Sequence, residues 1–295
     1  MTGLTVFFSY GVSLQTWETH GMLLREVELY KRLLPRVGDI TFVTYGDSRE
    51  LEYAELLGDI QLLYNRWGLP PHWYARLAPI LHFGSFLGSK LLKTNQTSGA
   101  MAAIPVQRWF RKKLIVRCGF MWSDHAAKMY GEGTERAMDI FRQEHRAFRN
   151  ADKIVVTTPE MKAYAVEQHN IESEKISVIP NFVDVEAFSH GTSPPRDNRT
   201  VCYVGRLARE QKNVGVLLDA MIGIDAKLLI IGDGPERKDL ETKAKKNGVD
   251  AQFKGVIPFP KVANYLRSST MFVLPSLFEG QPKALMEAMA SGTPV

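Results

Sequence analysis

The chain has 295 residues, 45% of them hydrophobic and 23% charged, enough for two ordinary domains with cores of their own and too apolar for disorder. Its first ten residues carry no basic leader, and the apolar run Leu4 to Phe8 is too short for a signal-peptide core or a membrane span, so a cytoplasmic protein is expected. The formal net charge of +5 is compatible with an anionic small molecule or an anionic membrane surface, and no zinc-finger, RNA-recognition or basic-zipper pattern accompanies it, so nucleic acid is not an expected partner.

Short β-branched or aliphatic runs alternate with segments of helical period from the first residues onward. Leu4 to Phe8 reads as a strand and about Glu18 to Leu34 as a helix. Strands follow at Ile40 to Thr44, Ile60 to Leu63, Lys90 to Thr94, Leu114 to Arg117 and Lys153 to Thr157, with apolar-periodic segments between them. This rhythm predicts right-handed βαβ units around a doubly wound parallel sheet. It breaks in the turn-rich stretch Ser189 to Asn198, which sets a domain over 1–190 and a linker over 191–200. Strands at Val201 to Val204, Lys227 to Ile231, Ala251 to Lys254 and Met271 to Leu274 then alternate with helices at Val214 to Met221, Pro235 to Lys246 and Pro260 to Ser268 and one opening at Pro282, giving a second parallel sheet over 201–295. Ser291 to Val295 has the look of a helix stop followed by the start of another strand, so the second domain is expected to be incomplete. Cys118 and Cys202 stand far apart with no metal-ligand spacing, and are expected to be buried thiols.

The densest chemistry lies in Phe278 to Gly292, just beyond the last predicted strand. A helix N-terminus at the carboxyl end of a parallel strand offers backbone N–H groups and a positive dipole end to phosphate, and Pro282 suits the first helical turn. Glu279 in the loop and Glu287 on the helix are spaced to face one ligand rich in hydroxyls; the alternative is a solvated loop residue and a surface helix position. Upstream, Val204 to Asn213 runs from a strand end into a helix start and holds Arg206 and Lys212 six residues apart, which on charge alone reads as two solvated cations.

The segment from Glu279 to Val295 resembles the E-x7-E signature of the retaining GT-B glycosyltransferases of family four, the glycosyl transferases group 1. Ile179-Pro180-Asn181-Phe182-Val183-Asp184 resembles that family's I-P-N-G-V-D stretch, with Phe182 in place of glycine. Leu228-Leu229-Ile230-Ile231-Gly232-Asp233-Gly234-Pro235 resembles its I-x-G-x-G-P turn, which is equally a tight strand-to-helix turn or a ligand contact. The resemblance implies a GT-B fold, an α/β architecture of two Rossmann-like doubly wound domains facing across a cleft, with an acceptor side in the first and a nucleotide-sugar donor bound in the second. It implies retaining sugar transfer from a nucleotide-diphosphate sugar, with no obligatory metal or other cofactor, to a carbohydrate or lipid-linked acceptor. In that frame Arg206 and Lys212, with Gly205 before them, hold the donor diphosphate. Glu279 holds sugar hydroxyls and Glu287 the ribose, Gly280, Gln281, Pro282, Lys283, Ala284 and Leu285 complete the loop and helix start, and Val256 lies where the base is held.

In the first half, Tyr10-Gly11-Val12-Ser13 resembles the family's glycine-containing loop, followed by Trp17, Glu18 and His20, and Thr94 to Gly99 has polar groups to offer an acceptor. Cys118-Gly119 stands where many members carry a histidine, leaving Asp124 and His125 as nearby substitutes. Aromatics interleaved with cations in Arg66 to Arg76 and Trp109 to Lys113 mark either a peripheral contact with the inner face of a membrane or ordinary core positions. Two competing readings share the fold: nucleotide-sugar binding without turnover, and nucleotide-sugar 2-epimerisation, for which the sequence supplies no located acid–base residues.

Overall fold

The computed structural model describes residues 3–189 and 199–295. It divides into two compact units, one of Met1–Glu18 with Met22–Pro180, the other of Asn181–Val295 with Thr19–Gly21. The linker read over 191–200 lies outside the described residues apart from Arg199 and Thr200. The unit division falls earlier, because the helix Val185–Ser189 puts Phe188 into the second unit's core.

The first unit holds seven strands: β1 (Leu4–Phe7), β2 (Ile40–Val43), β3 (Gln61–Leu63), β4 (Leu91–Thr94), β5 (Lys113–Cys118), β6 (Lys153–Val156) and β7 (Ile176–Val178). Their order is β3-β2-β1-β4-β5-β6-β7 and every pair is parallel. Because side chains alternate along a strand, both faces of the sheet are apolar. Leu4, Val6 and Phe8 join Ile40 and Phe42 in one cluster, while Phe7 joins Val43, Leu92, Leu114, Val116, Ile154 and Val156 in the other. The predicted helix over Glu18 to Leu34 is two helices, Leu14–Thr19 and Leu23–Val37. The break is at Gly21, whose φ of +66° no continuous helix accommodates.

The second unit repeats the plan with β8 (Thr200–Val204), β9 (Lys227–Ile231), β10 (Ala251–Gly255) and β11 (Met271–Phe272), all parallel in the order β10-β9-β8-β11. Its two apolar faces again separate by alternation: Val201, Tyr203, Leu228 and Ile230 on one, Cys202, Leu229, Ile231 and Phe272 on the other. On the open side of β11, the Phe272 N–H donates to the Pro294 carbonyl at 2.7 Å. Both cysteines are free and buried, as expected. Among the described residues no helix is long and apolar enough to cross a membrane.

Candidate functional site

In both sheets the strand order reverses at the first strand, between β1 and β4 in one and between β8 and β11 in the other. Loops leaving the carboxyl ends of strands on either side of such a reversal run to opposite faces and leave room for a ligand. In the second unit these are the loop from Gly205 to Ala208, which runs into the short helix Arg209–Lys212, and the loop from Val273 to Pro282; together they carry Gly205, Arg206, Lys212, Glu279, Gly280, Gln281 and Pro282.

The two loops are joined. Lys212 Nζ meets Glu279 Oε1 at 2.5 Å, with the side chains only 18% and 19% exposed. Leu277 N–H donates to the Gln211 carbonyl at 2.8 Å and Gln211 Nε2 to the Phe278 carbonyl at 3.4 Å. Arg206 is exposed, and its guanidinium makes no ion pair among the described residues. Glu279 therefore neutralises one of the two cations and leaves the other available to an anion. Glu287 is buried at 4% exposure on the helix Lys283–Ala290, not a surface position. Pro282 is the N-cap of that helix, one position before the first turn predicted for it, and contributes no side-chain cap. The first-turn N–H groups of a helix have no intrahelical acceptor, so this end of the element suits an anion.

A second clasp holds the loop from below. Asn181 donates its backbone N–H to Gln281 Oε1, and its Nδ2 to the Gln281 carbonyl at 2.7 Å. Gln281, one of the predicted ligand contacts, thus has its side-chain oxygen committed to Asn181. Lys283 Nζ lies 5.8 Å from the Phe182 ring centroid, so the residue replacing glycine in the I-P-N stretch is used as a platform for a cation. Ala284 and Leu285 pack partly buried against the core.

The loops after β8 and β9 approach closely through their glycines. Gly205 N–H donates to the Ile231 carbonyl at 2.9 Å and Leu207 N–H to the Asp233 carbonyl at 3.0 Å. A Cβ at Gly232, where φ is +130°, would sit on the Gly205 carbonyl oxygen, and one at Gly234 on that of Leu207. One at Gly205 would meet the Tyr203 hydroxyl at 2.6 Å. The G-x-G turn is therefore required by backbone packing whatever else it does. Val256, just beyond β10, is 43% exposed.

In the first unit the loops after β1 and β4 are tied by the Tyr10 N–H, which donates to Ser98 Oγ at 3.2 Å. Gly11 is exposed with φ +73° and open space around it. Thr97 and Ser98 open onto a cavity of about 300 Å³ bounded by the helices Pro71–Leu81, Ala100–Phe110 and Glu135–Asn150. Other residues flagged nearby have structural work. Trp17 is buried and stacks on Phe8 with centroids 4.0 Å apart, and Glu18 accepts from the Tyr53 hydroxyl at 2.6 Å. The Cys118 thiol is fully buried and pushed up in pKa by that burial, so it does not replace a cleft histidine. Asp124 pairs with Lys128 at 2.6 Å, and His125 is buried against Phe120.

Sequence reasoning missed two buried carboxylates that set the loop geometry here. Glu50 accepts from the Leu14 N–H and the Thr44 hydroxyl, holding the helix after the Gly11 loop. Glu144 accepts from the Trp122 and Ser123 N–H groups at 2.8 and 3.1 Å, holding the helix Trp122–Tyr130 that follows the Cys118-Gly119 loop. Each is a helix-terminal acceptor supplied from a distant part of the chain.

Two parallel-sheet units with their polar loops gathered at the order reversals define a protein of the GT-B class, α/β and Rossmann-like in each half. The chain belongs to Glycosyltransferase Family 4, whose family model matches residues 27–187, and the model described as Glycosyl transferases group 1 matches residues 198–295. The amylovoran biosynthesis glycosyltransferase AmsD of Erwinia amylovora is 30% identical over 200 residues, 64% of this chain and 54% of that protein. The UDP-Gal:α-D-GlcNAc-diphosphoundecaprenol α-1,3-galactosyltransferase of Escherichia coli is 31% identical over 165 residues, 48% of this chain and 41% of that one. HepE of Anabaena, solved in complex with UDP and glucose, superposes with a TM-score of 0.74 at 17% identity over 100% of this chain and 80% of its own. The chain spans about half the length of the curated relatives it matches.

Proposed function

We propose that this chain carries the substrate-binding loops of a retaining glycosyltransferase, which moves a sugar from a nucleotide-diphosphate sugar to a glycan, lipid-linked or small-molecule acceptor. The observation that carries this reading is the Lys212–Glu279 pair at the order reversal of the second sheet, with Arg206 beside it and the start of the helix Lys283–Ala290 following. Two cations and a helix N-terminus suit a diphosphate, and a carboxylate next to them suits the hydroxyls of the sugar that diphosphate carries. In the reaction, negative charge develops on the departing diphosphate. Arg206, Lys212 and the helix end are preorganised to stabilise it, Glu279 orients the sugar and Glu287 takes the ribose.

The relatives support the choice of substrates: one is named for a UDP-sugar donor and a diphosphoundecaprenol-linked acceptor, and the HepE structure contains UDP and glucose. For the acceptor step we infer a peripheral contact with the inner face of a membrane. Trp73 and Trp109 are about half exposed or more, and Arg66 and Arg76 lie over the rings of Trp67 and Trp73 at 4.5 and 5.9 Å, an amphipathic surface suited to an interface.

Calorimetric titration with UDP, GDP and ADP sugars, followed by product analysis with sugar and lipid acceptors, tests the reading. Micromolar binding of one nucleotide sugar and a product of retained anomeric configuration are expected. A folded chain that binds none of them overturns it.

A further inference from the structure

The carboxylate of Glu144 is fully buried, and no lysine or arginine pairs with it among the described residues. Besides the two N–H groups of Trp122 and Ser123 it accepts the Ser123 hydroxyl and, at 3.2 Å, His169 Nε2, both on Oε2. The Cys118 thiol lies 3.9 Å from Oε1 but gives its proton to the Phe120 carbonyl at 2.9 Å. Because a carboxylate only accepts, Nε2 carries the proton of the His169 ring. That ring is itself fully buried at the end of the helix Pro159–His169, with Phe141 stacked on it at 4.4 Å and Phe148 edge-on at 5.2 Å.

The second ring nitrogen, Nδ1, is buried with no hydrogen-bond partner among the described residues. An unpaired polar atom in an apolar wall costs stability, and an apolar side chain of the same size would avoid that cost. What the imidazole supplies here is therefore the donor on Nε2. The other donors to Glu144 cannot locate its carboxylate, because Trp122 and Ser123 belong to the helix Trp122–Tyr130 that it holds and move with that helix. His169 reaches it from a third element. The consequence falls on the cavity: Trp122 lines it from one helix, Gln143 and Arg146 line it from the helix that carries Glu144, and the Glu144 carboxylate ties the two together. His169 does not line it.

We infer that His169 is a positioning residue on the acceptor side: by fixing the Glu144 carboxylate it sets the start of the helix Trp122–Tyr130, and with it the place of Trp122 relative to Gln143 and Arg146. The inference rests on the glycosyl-transfer reading for the use to which the cavity is put. A misplacement of about 1 Å in a group that orients a substrate costs up to about a hundredfold in rate, so a residue that touches no substrate still acts on the reaction through Trp122.

The test is made on the full 295-residue chain. His169→Leu fills the space and removes the donor; His169→Gln carries an amide that reaches the place of Nε2, and His169→Asn one that reaches only that of Nδ1. Acrylamide quenching of Trp122 is read as the difference between each variant and the same variant with Trp122→Phe. The quenching constant is expected to rise about twofold in His169→Leu and His169→Asn and to stay at the parent value in His169→Gln, with UDP affinity unchanged in all three. In transfer assays with the sugar and lipid acceptors, the KM for the acceptor is expected to rise about tenfold in His169→Leu and His169→Asn while that for the nucleotide sugar stays the same. Quenching that is unchanged in His169→Leu, or alike in His169→Gln and His169→Asn, overturns the inference. An acceptor KM that stays at the parent value, or rises together with that for the nucleotide sugar, also overturns it. If His169→Leu does not fold, the comparison of His169→Gln with His169→Asn decides alone. If no acceptor gives product, the transferase reading falls and the quenching still decides the positioning.

Discussion

Glu279 and Lys212 are neighbours in the unliganded structure, and this gives their variants opposite expected effects on the same titration. A diphosphate arriving at the loop must draw Lys212 away from a carboxylate 2.5 Å distant. Exposed pairs are worth at most about 1 kcal/mol, whereas removing one partner of a fully buried pair costs about 3–5 kcal/mol. With both side chains about four-fifths buried, the competition is expected to cost the ligand about 1 kcal/mol. Glu279→Gln removes the competing charge and keeps an acceptor, so the preferred nucleoside diphosphate, without sugar, should bind up to about fivefold more tightly. Lys212→Ala removes a charge-assisted contact worth about 1.5–3 kcal/mol, offset by the lost competition of about 1 kcal/mol, and should weaken the same ligand by about two- to thirtyfold. The sugar reverses the first effect. A nucleotide sugar loses its hydroxyl acceptor in Glu279→Gln, so its advantage over the bare diphosphate should shrink by about tenfold. Calorimetric titration of both variants with both ligands gives the four affinities needed. If Glu279→Gln weakens the bare diphosphate as much as Lys212→Ala does, Glu279 is a support for the loop rather than a group that meets the sugar.

Other outcomes follow from the supports of the loops. Burial raises the pKa of Glu50 above its ordinary value despite two hydrogen bonds, so its contribution to stability is present below the unfolded pKa and is lost as pH rises through the folded one. Glu50→Gln can keep both bonds without the charge, so its unfolding midpoint should gain on that of the parent chain as pH rises above the ordinary carboxylate range; a difference that stays constant as pH rises contradicts the assignment. Gly232→Ala forces a Cβ onto the Gly205 carbonyl at a φ of +130°, and should destabilise the second unit by more than about 3 kcal/mol in denaturant unfolding. A normal midpoint would show that the two loops separate readily. Trp73→Ser with Trp109→Ser should lower sedimentation with anionic vesicles without changing nucleotide affinity, and binding that ignores both changes would remove that face from the membrane contact.

What was legible in the sequence was what repeats or lies close together in the chain. Strand alternation at Leu4 to Phe8 and Val201 to Val204 gave both sheets, because burial on two faces leaves an unbroken apolar run. Arg206, Lys212, Glu279 and Glu287 were visible because their loops sit at fixed points of a βα unit. That Lys212 and Glu279 touch was not, since they are 67 residues apart and only the fold brings them together. The same holds for Glu50 and Glu144, which cap helices 36 and 22 residues away from them. A lone glutamate in a helical stretch carries no mark of such a role. Trp17, which follows the Gly11 loop in the chain, is core: nothing local to it shows that it stacks on Phe8.

These distant contacts explain how loops can carry chemistry without being loose. Within each unit, the segment leaving one strand is held by a group from another part of the chain: Gln281 by Asn181, Glu279 by Lys212, the helix after Gly11 by Glu50, the helix after Gly119 by Glu144. Three of these holds are made by charged or backbone-paired groups committed to structure. The Lys212–Glu279 hold is different, because both partners are the groups proposed to meet substrate. Ligand binding must therefore break a support as it forms new contacts, and the loop from Val273 to Pro282 should change its protection against hydrogen exchange when a nucleotide sugar binds, while the Asn181 clasp at its far end should not.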